Sequence, residues 1–214
     1  MKLLLIHEAS VNIVDSRGAS ALHLAAWAGH TDIVNLLLTQ PYNSANLNVQ
    51  TIDNETPLHF AAQHGHDDVL TLLLTHGADA YVENCRGETP LDLASQYGRL
   101  RAVQLLLHAR PDLLRPYHSN GLVRRSPLHL ASRNGHANVV EALLSAGFNV
   151  DLLTPAGTAL HEASLCGKDH VVRTLLSAGA DPDAMDAEGR TALDLLRQFP
   201  PHVTSGIISV INGN

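Results

Sequence analysis

The chain of 214 residues has few aromatic residues and no long apolar run. Aromatic residues make up 4% of the composition against 45% for all hydrophobic residues, so we expect an aliphatic core, which suits thin, closely stacked layers of helices. No apolar run approaches the roughly 20 residues of a membrane-spanning helix, and the run of four after Lys2 is too short for a signal peptide. We therefore expect a cytoplasmic protein that does not insert into membranes.

A short phrase recurs six times along the chain. Its leucines stand at positions 22, 58, 91, 128, 160 and 193, with successive gaps of 36, 33, 37, 32 and 33 residues. A period near 33 residues around a Thr-Pro-Leu-His core is typical of ankyrin repeats. We therefore predict an all-α, right-handed ankyrin-repeat solenoid, built from paired antiparallel helices with projecting β-hairpin-like loops, here called fingers. The six phrases are Ser20-Ala-Leu-His23, Thr56-Pro-Leu-His59, Thr89-Pro-Leu-Asp92, Ser126-Pro-Leu-His129, Thr158-Ala-Leu-His161 and Thr191-Ala-Leu-Asp194.

Capping residues predict where the helices begin and end. The Ser or Thr that opens each phrase is a good N-cap, and the proline that follows it in three phrases suits the first helical turn. A glycine about nine residues later can take the left-handed conformation that closes a helix. These glycines are Gly29, Gly65, Gly98, Gly135 and Gly167. In the second finger, Asp53-Asn54 is predicted to take the positive-φ role that glycine has elsewhere.

We predict one ankyrin-repeat domain over residues 1–214. It comprises a partial repeat at 1–12, repeats near 13–47, 48–80, 81–114, 115–149 and 150–182, and a C-terminal capping repeat at 183–214. Because at least two layers separate Cys85 from Cys166, no intrachain disulfide is expected, which fits a reducing cytosolic compartment. Residues 2–12 resemble the second half of a repeat. We therefore expect a fragment or isoform of a longer array, able to self-associate through its truncated N-terminal end.

Several phrases resemble the ankyrin array of the Odin-type adaptors, which carry ankyrin repeats, sterile-alpha-motif domains and a phosphotyrosine-binding domain. The Caskin scaffolds share several of the phrases and are a close second, while the insertion near Pro41 followed by Asp-Asn-Glu-Thr favours Odin. The resemblance implies a scaffold that lacks its C-terminal domains and acts in signalling near membranes, and it carries over no contact residue. The phrases are Asp53-Asn-Glu-Thr-Pro-Leu-His59, Glu88-Thr-Pro-Leu-Asp-Leu-Ala94, Gly157-Thr-Ala-Leu-His-Glu-Ala163 and Gly189-Arg-Thr-Ala-Leu-Asp194.

The fourteen histidines do not form a convincing metal or catalytic pattern. Four occupy the fourth place of the phrase, where the family resemblance implies hydrogen bonds to neighbouring loops. His64 and His66 are the one pair close enough to suggest a metal, but Gly65 separates them at a helix end and no cysteine is near in sequence. No phosphate-binding loop or nucleophile motif is present. We expect no enzyme, no metal and no cofactor.

Arginine is concentrated in the middle of the chain. From Gly18 to Cys85 there is no Lys or Arg against seven acids, whereas Arg86 to Arg133 holds eight arginines against three acids, a net charge of +5. The guanidinium group binds carboxylate or phosphate with two parallel hydrogen bonds. Arg86, Arg124, Arg125 and Arg133 are predicted at finger tips or at the end of a first helix, so we expect them to contact an acidic or phosphorylated ligand. Arg99, Arg101 and Arg110 could equally be solvated outer residues.

Four large apolar or aromatic residues are predicted to lie on the same inner surface. Trp27 and Tyr97 stand just before turn glycines, and each could either pack structurally or anchor a peptide. Ile52 at a finger tip and Leu165 on a first helix are apolar where exposure is expected, and both suit contact with a partner.

These features favour a protein-binding scaffold or adaptor with a preformed concave surface. The alternative is an autoinhibitory or spacer module that positions missing C-terminal domains. Nucleic acid is not expected as a ligand, because the net charge is −7 and the arginines lack interleaved aromatic residues. A membrane-surface role is not expected either, because only two of the arginines adjoin.

Overall fold

The computed structural model describes residues 10–40, 44–117 and 125–213. The predicted partial repeat, and with it the proposed self-association, therefore lies largely outside the described residues, as does Arg124. The chain divides into two compact units. Unit 1 contains Met1–Ala94 and Arg101–Pro111, and unit 2 contains Ser95–Leu100 and Asp112–Asn214.

Paired helices confirm the predicted repeat in unit 1. Each first helix is short and is followed after a tight turn by a second helix. The first helices of the first two repeats pack against each other, as do their second helices. The helices are α1 (Ala21–Trp27), α2 (Thr31–Leu38), α3 (Pro57–His64) and α4 (Asp67–Thr75), followed by α5 (Pro90–Gln96) and α6 (Leu100–Ala109), the pair in which the two units divide.

Unit 2 repeats the same arrangement. A 3-10 helix, Pro111–Tyr117, follows α6. The pairs that follow are α7 (Pro127–Asn134) with α8 (Ala137–Ser145), α9 (Ala159–Leu165) with α10 (Asp169–Ser177), and α11 (Ala192–Leu196) with α12 (Pro201–Ile211). The last helix buries Ile207 and Ile211 and packs against α10.

The predicted capping residues determine the helix ends. Ser20, Thr56, Thr158 and Thr191 are N-caps in a reciprocal capping box, in which the residue three places on accepts from the N-cap backbone N–H. At the other end, every predicted turn glycine has a positive φ, for example 70° at Gly65, which caps α3. These caps satisfy backbone groups that would otherwise end each short helix without a partner.

A row of leucines forms the core. Leu22, Leu58, Leu91, Leu128 and Leu160 stand at the third place of their phrases and are at most 1% exposed. In the sixth phrase Leu193 is half-buried. The phrase therefore recurs because the first five repeats bury the same leucine.

Histidines connect one repeat to the next. The Nε2–H of each phrase histidine donates to a backbone carbonyl of the following finger, at distances of 3.0 to 3.1 Å. The pairs are His23 with Glu55, His59 with Glu88, His129 with Gly157 and His161 with Arg190. Aspartate takes this place in the third and sixth phrases, where Asp92 and Asp194 cap the helix through Thr89 and Thr191. The phrase histidines therefore have a structural role.

Candidate functional site

The fingers are shaped by their first residue and linked by their backbones. Asp15 Oδ1 accepts from the N–H groups of Arg17 and Ala19, and Asn84 does the same for Arg86 and Glu88. In the second finger Asn54 takes a φ of 59°, as predicted. Neighbouring fingers of unit 1 are joined by main-chain hydrogen bonds, from Ile52 N to Arg17 O at 2.9 Å and from Cys85 N to Asp53 O at 2.8 Å.

One part of the first-helix surface of unit 1 is apolar. Leu24 and Trp27 lie one turn apart on α1, and their side chains are 57% and 55% exposed. The indole of Trp27 meets the ring of His64 on α3 edge to face, with centroids 5.9 Å apart, and Phe60 on the same helix is half-buried against His23. We call Leu24, Trp27, Phe60 and His64 the apolar face.

The hydrogen bonds around the apolar face hold its backbone in place. His66 stacks on His64 and donates its Nε2–H to the carbonyl oxygen of Trp27 at 2.9 Å. A side chain at Gly29 would collide with the His66 ring, since an added Cβ would lie 2.6 Å from Nδ1. His64 and His66 therefore support Trp27, and no group of three or more potential metal ligands occurs within the described residues.

Arg86 is engaged within unit 1. Its Nε lies 2.7 Å from Glu88 Oε2 and its Nη2 lies 3.6 Å from Glu55 Oε1 on the preceding finger. Burial raises the pKa of Glu55, and the neighbouring Arg86 opposes this rise. The guanidinium therefore already neutralises two half-buried or buried carboxylates, which leaves less of its charge for a ligand.

Arg133 has a looser carboxylate neighbour in unit 2. Its Nε is 3.9 Å from Glu162 Oε2, a distance too long for a strong hydrogen bond, and its side chain is 62% exposed. Burial raises the pKa of Glu162, again opposed by the arginine. Arg125 is exposed just before α7, whereas Arg124 lies outside the described residues.

The other predicted contact residues are exposed as expected. Tyr97 and Leu165, both in unit 2, are 41% and 40% exposed, and Ile52 at its finger tip in unit 1 is 71% exposed. The eight predicted residues thus fall into two groups. Unit 1 holds Trp27, Ile52 and Arg86, while unit 2 holds Tyr97, Arg124, Arg125, Arg133 and Leu165.

Sequence reasoning missed the exposure of Leu24. It stands at the fifth place of its phrase, where Phe60 and Glu162 stand in other repeats. The same place is buried in the third repeat, where Leu93 is 0% exposed, so the position in the phrase gave no signal for the exposure of Leu24. The sequence also gave no signal for the carboxylates of Glu55 and Glu162, because each pairs with an arginine of a neighbouring repeat.

Comparison with known proteins agrees with this architecture. A family model described as ankyrin repeats in three copies matches residues 1–51, 40–116 and 112–186. The chain is similar to the crystal structure of the ankyrin repeat domain of Bcl-3, a unique member of the IkappaB protein family. The TM-score is 0.74 and the sequence identity is 27%. The match covers 97% of this chain and 90% of that one.

The breadth of the structural likeness limits what it says about a ligand. In the solved structures, 514 chains match this one, so the architecture by itself specifies no partner. No curated protein shows a significant sequence match. None of the described helices is long and apolar enough to cross a membrane.

Proposed function

Because the chain belongs to the ankyrin-repeat family, whose repeats mediate protein–protein interaction, we propose that it binds a partner protein through its first helices and fingers. The observation that carries this proposal is the exposure of large apolar side chains on these elements, chiefly Leu24, Trp27 and Ile52 in unit 1 and Tyr97 and Leu165 in unit 2. Aromatic and aliphatic anchors of this kind dominate protein–protein binding energies.

The variation between repeats supports the same surface. The place two residues before the turn glycine holds Trp27, Gln63, Gln96, Arg133 and Leu165 in successive repeats. The core place five residues earlier is leucine in all five. A place that packing does not determine, and that carries five exposed or half-exposed side chains of differing chemistry, is suited to recognition rather than to folding.

We propose further that the arginines between Arg86 and Arg133 favour an acidic or phosphorylated segment of the partner. The support is the net charge of +5 in this part of the sequence and the exposure of Arg125 and Arg133. Arg86 is expected to contribute least, because Glu88 and Glu55 already hold it. Arg124 and Arg125 adjoin in the sequence, so their two charges are expected to act together.

We also propose which kind of ankyrin-repeat protein the chain is. The insertion near Pro41 followed by Asp53-Asn-Glu-Thr56 supports an adaptor of the Odin type over a Caskin scaffold, and such an adaptor would act in the cytoplasm as part of a larger protein. The single-domain organisation over residues 1–214 is likewise a proposal.

Site-specific photo-crosslinking tests the proposed surface. A photoreactive amino acid is placed singly at Tyr97 or Leu165 on the first-helix side, and at the exposed Thr71 or Arg173 on second helices as matched controls. Partner proteins captured from cell extract should crosslink from the first-helix positions and not from the controls. Equal crosslinking from both sides would place the binding surface elsewhere, and no crosslinking from any position would favour a spacer module.

A further inference from the structure

The apolar face of unit 1 has no covering element among the described residues. Leu24 and Trp27 each leave more than half of their side chain in solvent, although Trp27 touches His64 on one edge. The core of the repeat is complete without them, because Leu22 and Ala26 fill the buried side of α1. Exposed apolar side chains that folding does not require are characteristic of a binding site.

Charge distinguishes unit 1 from an ordinary apolar surface. Its described residues contain ten carboxylates against four arginines, a net charge of −6, and no Lys or Arg occurs from Gly18 to Cys85. Of the four, Arg86 is bound to Glu88 and Glu55. The carboxylates are Asp15, Asp32, Asp53, Glu55, Asp67, Asp68, Asp79, Glu83, Glu88 and Asp92, and the other arginines are Arg17, Arg101 and Arg110.

Two of these carboxylates line a pocket together with His66, the residue that bonds the carbonyl oxygen of Trp27. The volume of the pocket is about 320 Å³, and it lies between the turns that follow α1 and α3. His66 connects the pocket to the apolar face, since it lines the pocket and its Nε2–H donates to the carbonyl oxygen of Trp27. The lining residues are Gly29, Thr31, Gly65, His66, Asp67, Asp68 and Val69.

Asp67 would gain from a cation in this pocket. Burial raises the pKa of Asp67, and the negative charge of Asp68 raises it further, while Arg101 and His66 act in the opposite direction. An added ammonium or guanidinium group would therefore stabilise two neighbouring carboxylates that repel each other.

We propose that the apolar face binds a basic segment of a partner protein, which sets an apolar side chain on Leu24 and Trp27 and a Lys or Arg beside Asp67 and Asp68. The inference rests on the proposed function of the first-helix surface and adds the chemistry of the ligand for unit 1. An acidic segment would meet a surface of its own sign here, so the arginine-bearing part of unit 2 and the apolar face select different segments.

Trp27 supplies a direct readout, because it is the only tryptophan in the chain. A library of short, tryptophan-free peptides displayed on phage is selected against the full chain, and the selected peptides are titrated while the emission of Trp27 is recorded. We expect peptides of net positive charge with at least one large apolar residue, and a blue shift of the emission on binding. Binding should weaken as salt is added.

Matched variants separate the apolar face from other surfaces. Leu24→Ser should reduce the affinity about tenfold, as truncating a contact anchor does, and the double change Asp67→Asn with Asp68→Asn should reduce it by about the same factor. Phe199→Ser is the control for the first change, because it alters an exposed apolar side chain of unit 2 that is not part of the proposed binding surface. Asp169→Asn is the control for the second, because Asp169 opens α10 as Asp67 opens α4. Neither control should change the affinity.

The outcomes distinguish this inference from the broader proposal. Selection of acidic peptides, selection of none, or basic peptides that tolerate Leu24→Ser would overturn the inference. So would a shift in Trp27 emission with protein concentration alone, which would make a second copy of the chain the occupant. If Leu165→Ser abolishes peptide binding instead, the first-helix surface remains a binding site and only the assignment to unit 1 fails.

Discussion

His59 links its own helix to the next finger through Glu88. The ring Nε2–H donates to the carbonyl oxygen of Glu88 at 3.1 Å, while Nδ1 accepts from the backbone N–H of Thr56 at 3.1 Å. Only the neutral ring with its proton on Nε2 makes both bonds, because a proton on Nδ1 would face the N–H of Thr56. The connection between these two repeats therefore depends on an uncharged imidazole.

Acid should weaken the fold through these histidines. Burial lowers the pKa of His59 and of His129 to about 4, from about 6.5 in the unfolded chain. The unfolded state binds the proton first, so stability is complete above about pH 6.5 and declines as the pH falls toward about 4. This lowering of the pKa by about 2.5 corresponds to a loss in the free energy of unfolding on the order of 3 kcal/mol for each histidine. Urea unfolding at a series of pH values measures this decline.

A variant identifies His59 as one source of the acid sensitivity. His59→Gln should lower stability near neutral pH and make the decline in acid shallower than in the wild type. His170→Gln, which changes an exposed histidine of α10, should leave the steepness of the decline unchanged. An identical decline in His59→Gln and wild type would assign the acid sensitivity to other groups.

Two leucines on first helices should differ in their importance for stability. Leu128→Ala removes a fully buried side chain and should lower the free energy of unfolding by about 2–5 kcal/mol. Leu165→Ala truncates a side chain that is 40% exposed and should cost less than about 1 kcal/mol. Chemical denaturation of both variants measures the difference, and equal costs would contradict the assignment of core and surface on first helices.

Two buried serines should be replaceable with a gain in stability. Ser132 and Ser164 are at most 1% exposed, and their hydroxyl groups have no hydrogen-bond partner among the described residues. The equivalent places in the first two repeats hold Ala26 and Ala62. Ser132→Ala or Ser164→Ala should raise the free energy of unfolding by about 1 kcal/mol, because a buried unpaired hydroxyl is removed. A lower melting temperature in both variants would show that these hydroxyl groups do have partners.

Reversing the charge of Arg124 and Arg125 should weaken binding of an acidic or phosphorylated partner segment. The double change to glutamate should also flatten the salt dependence of binding, since fewer opposite charges meet across the interface. Stability should change by less than about 0.5 kcal/mol, because surface charges contribute little to folding. Titration calorimetry at low and high salt, with a partner identified by the crosslinking experiment, measures the effect. Arg173→Glu on a second helix is the control, and an unchanged affinity at low salt would refute the role of the pair.

Much of the fold follows from local rules that the sequence displays directly. Thr56 and Gly65 mark the ends of α3 because each satisfies backbone groups of its own helix, and Asn54 is of a residue type that tolerates a positive φ. Ile52 and Leu165 could be predicted as exposed from their places in the repeat. Such inferences succeed because the periodic core fixes which side of each helix is buried.

The charges of the candidate site could not be predicted in the same way. Whether Arg86 reaches Glu55 depends on the spacing of neighbouring fingers and on the rotamers of two long side chains. Net charge along the sequence records that arginines outnumber acids between Arg86 and Arg133, but it does not show that Glu88 lies 2.7 Å from the guanidinium of Arg86. Similarly, neither Trp27 nor His64 reveals in sequence that the two rings meet.

The main-chain bonds between fingers separate what holds the surface from what gives it specificity. Ile52 N and Cys85 N bond carbonyl oxygens of the preceding finger, so the links are made whatever side chains stand at those positions. Side chains at the finger tips can therefore be substituted one at a time, and each variant along the way still folds. A protein built in this way can change partners in the course of evolution, or in a directed selection, while its scaffold stays the same.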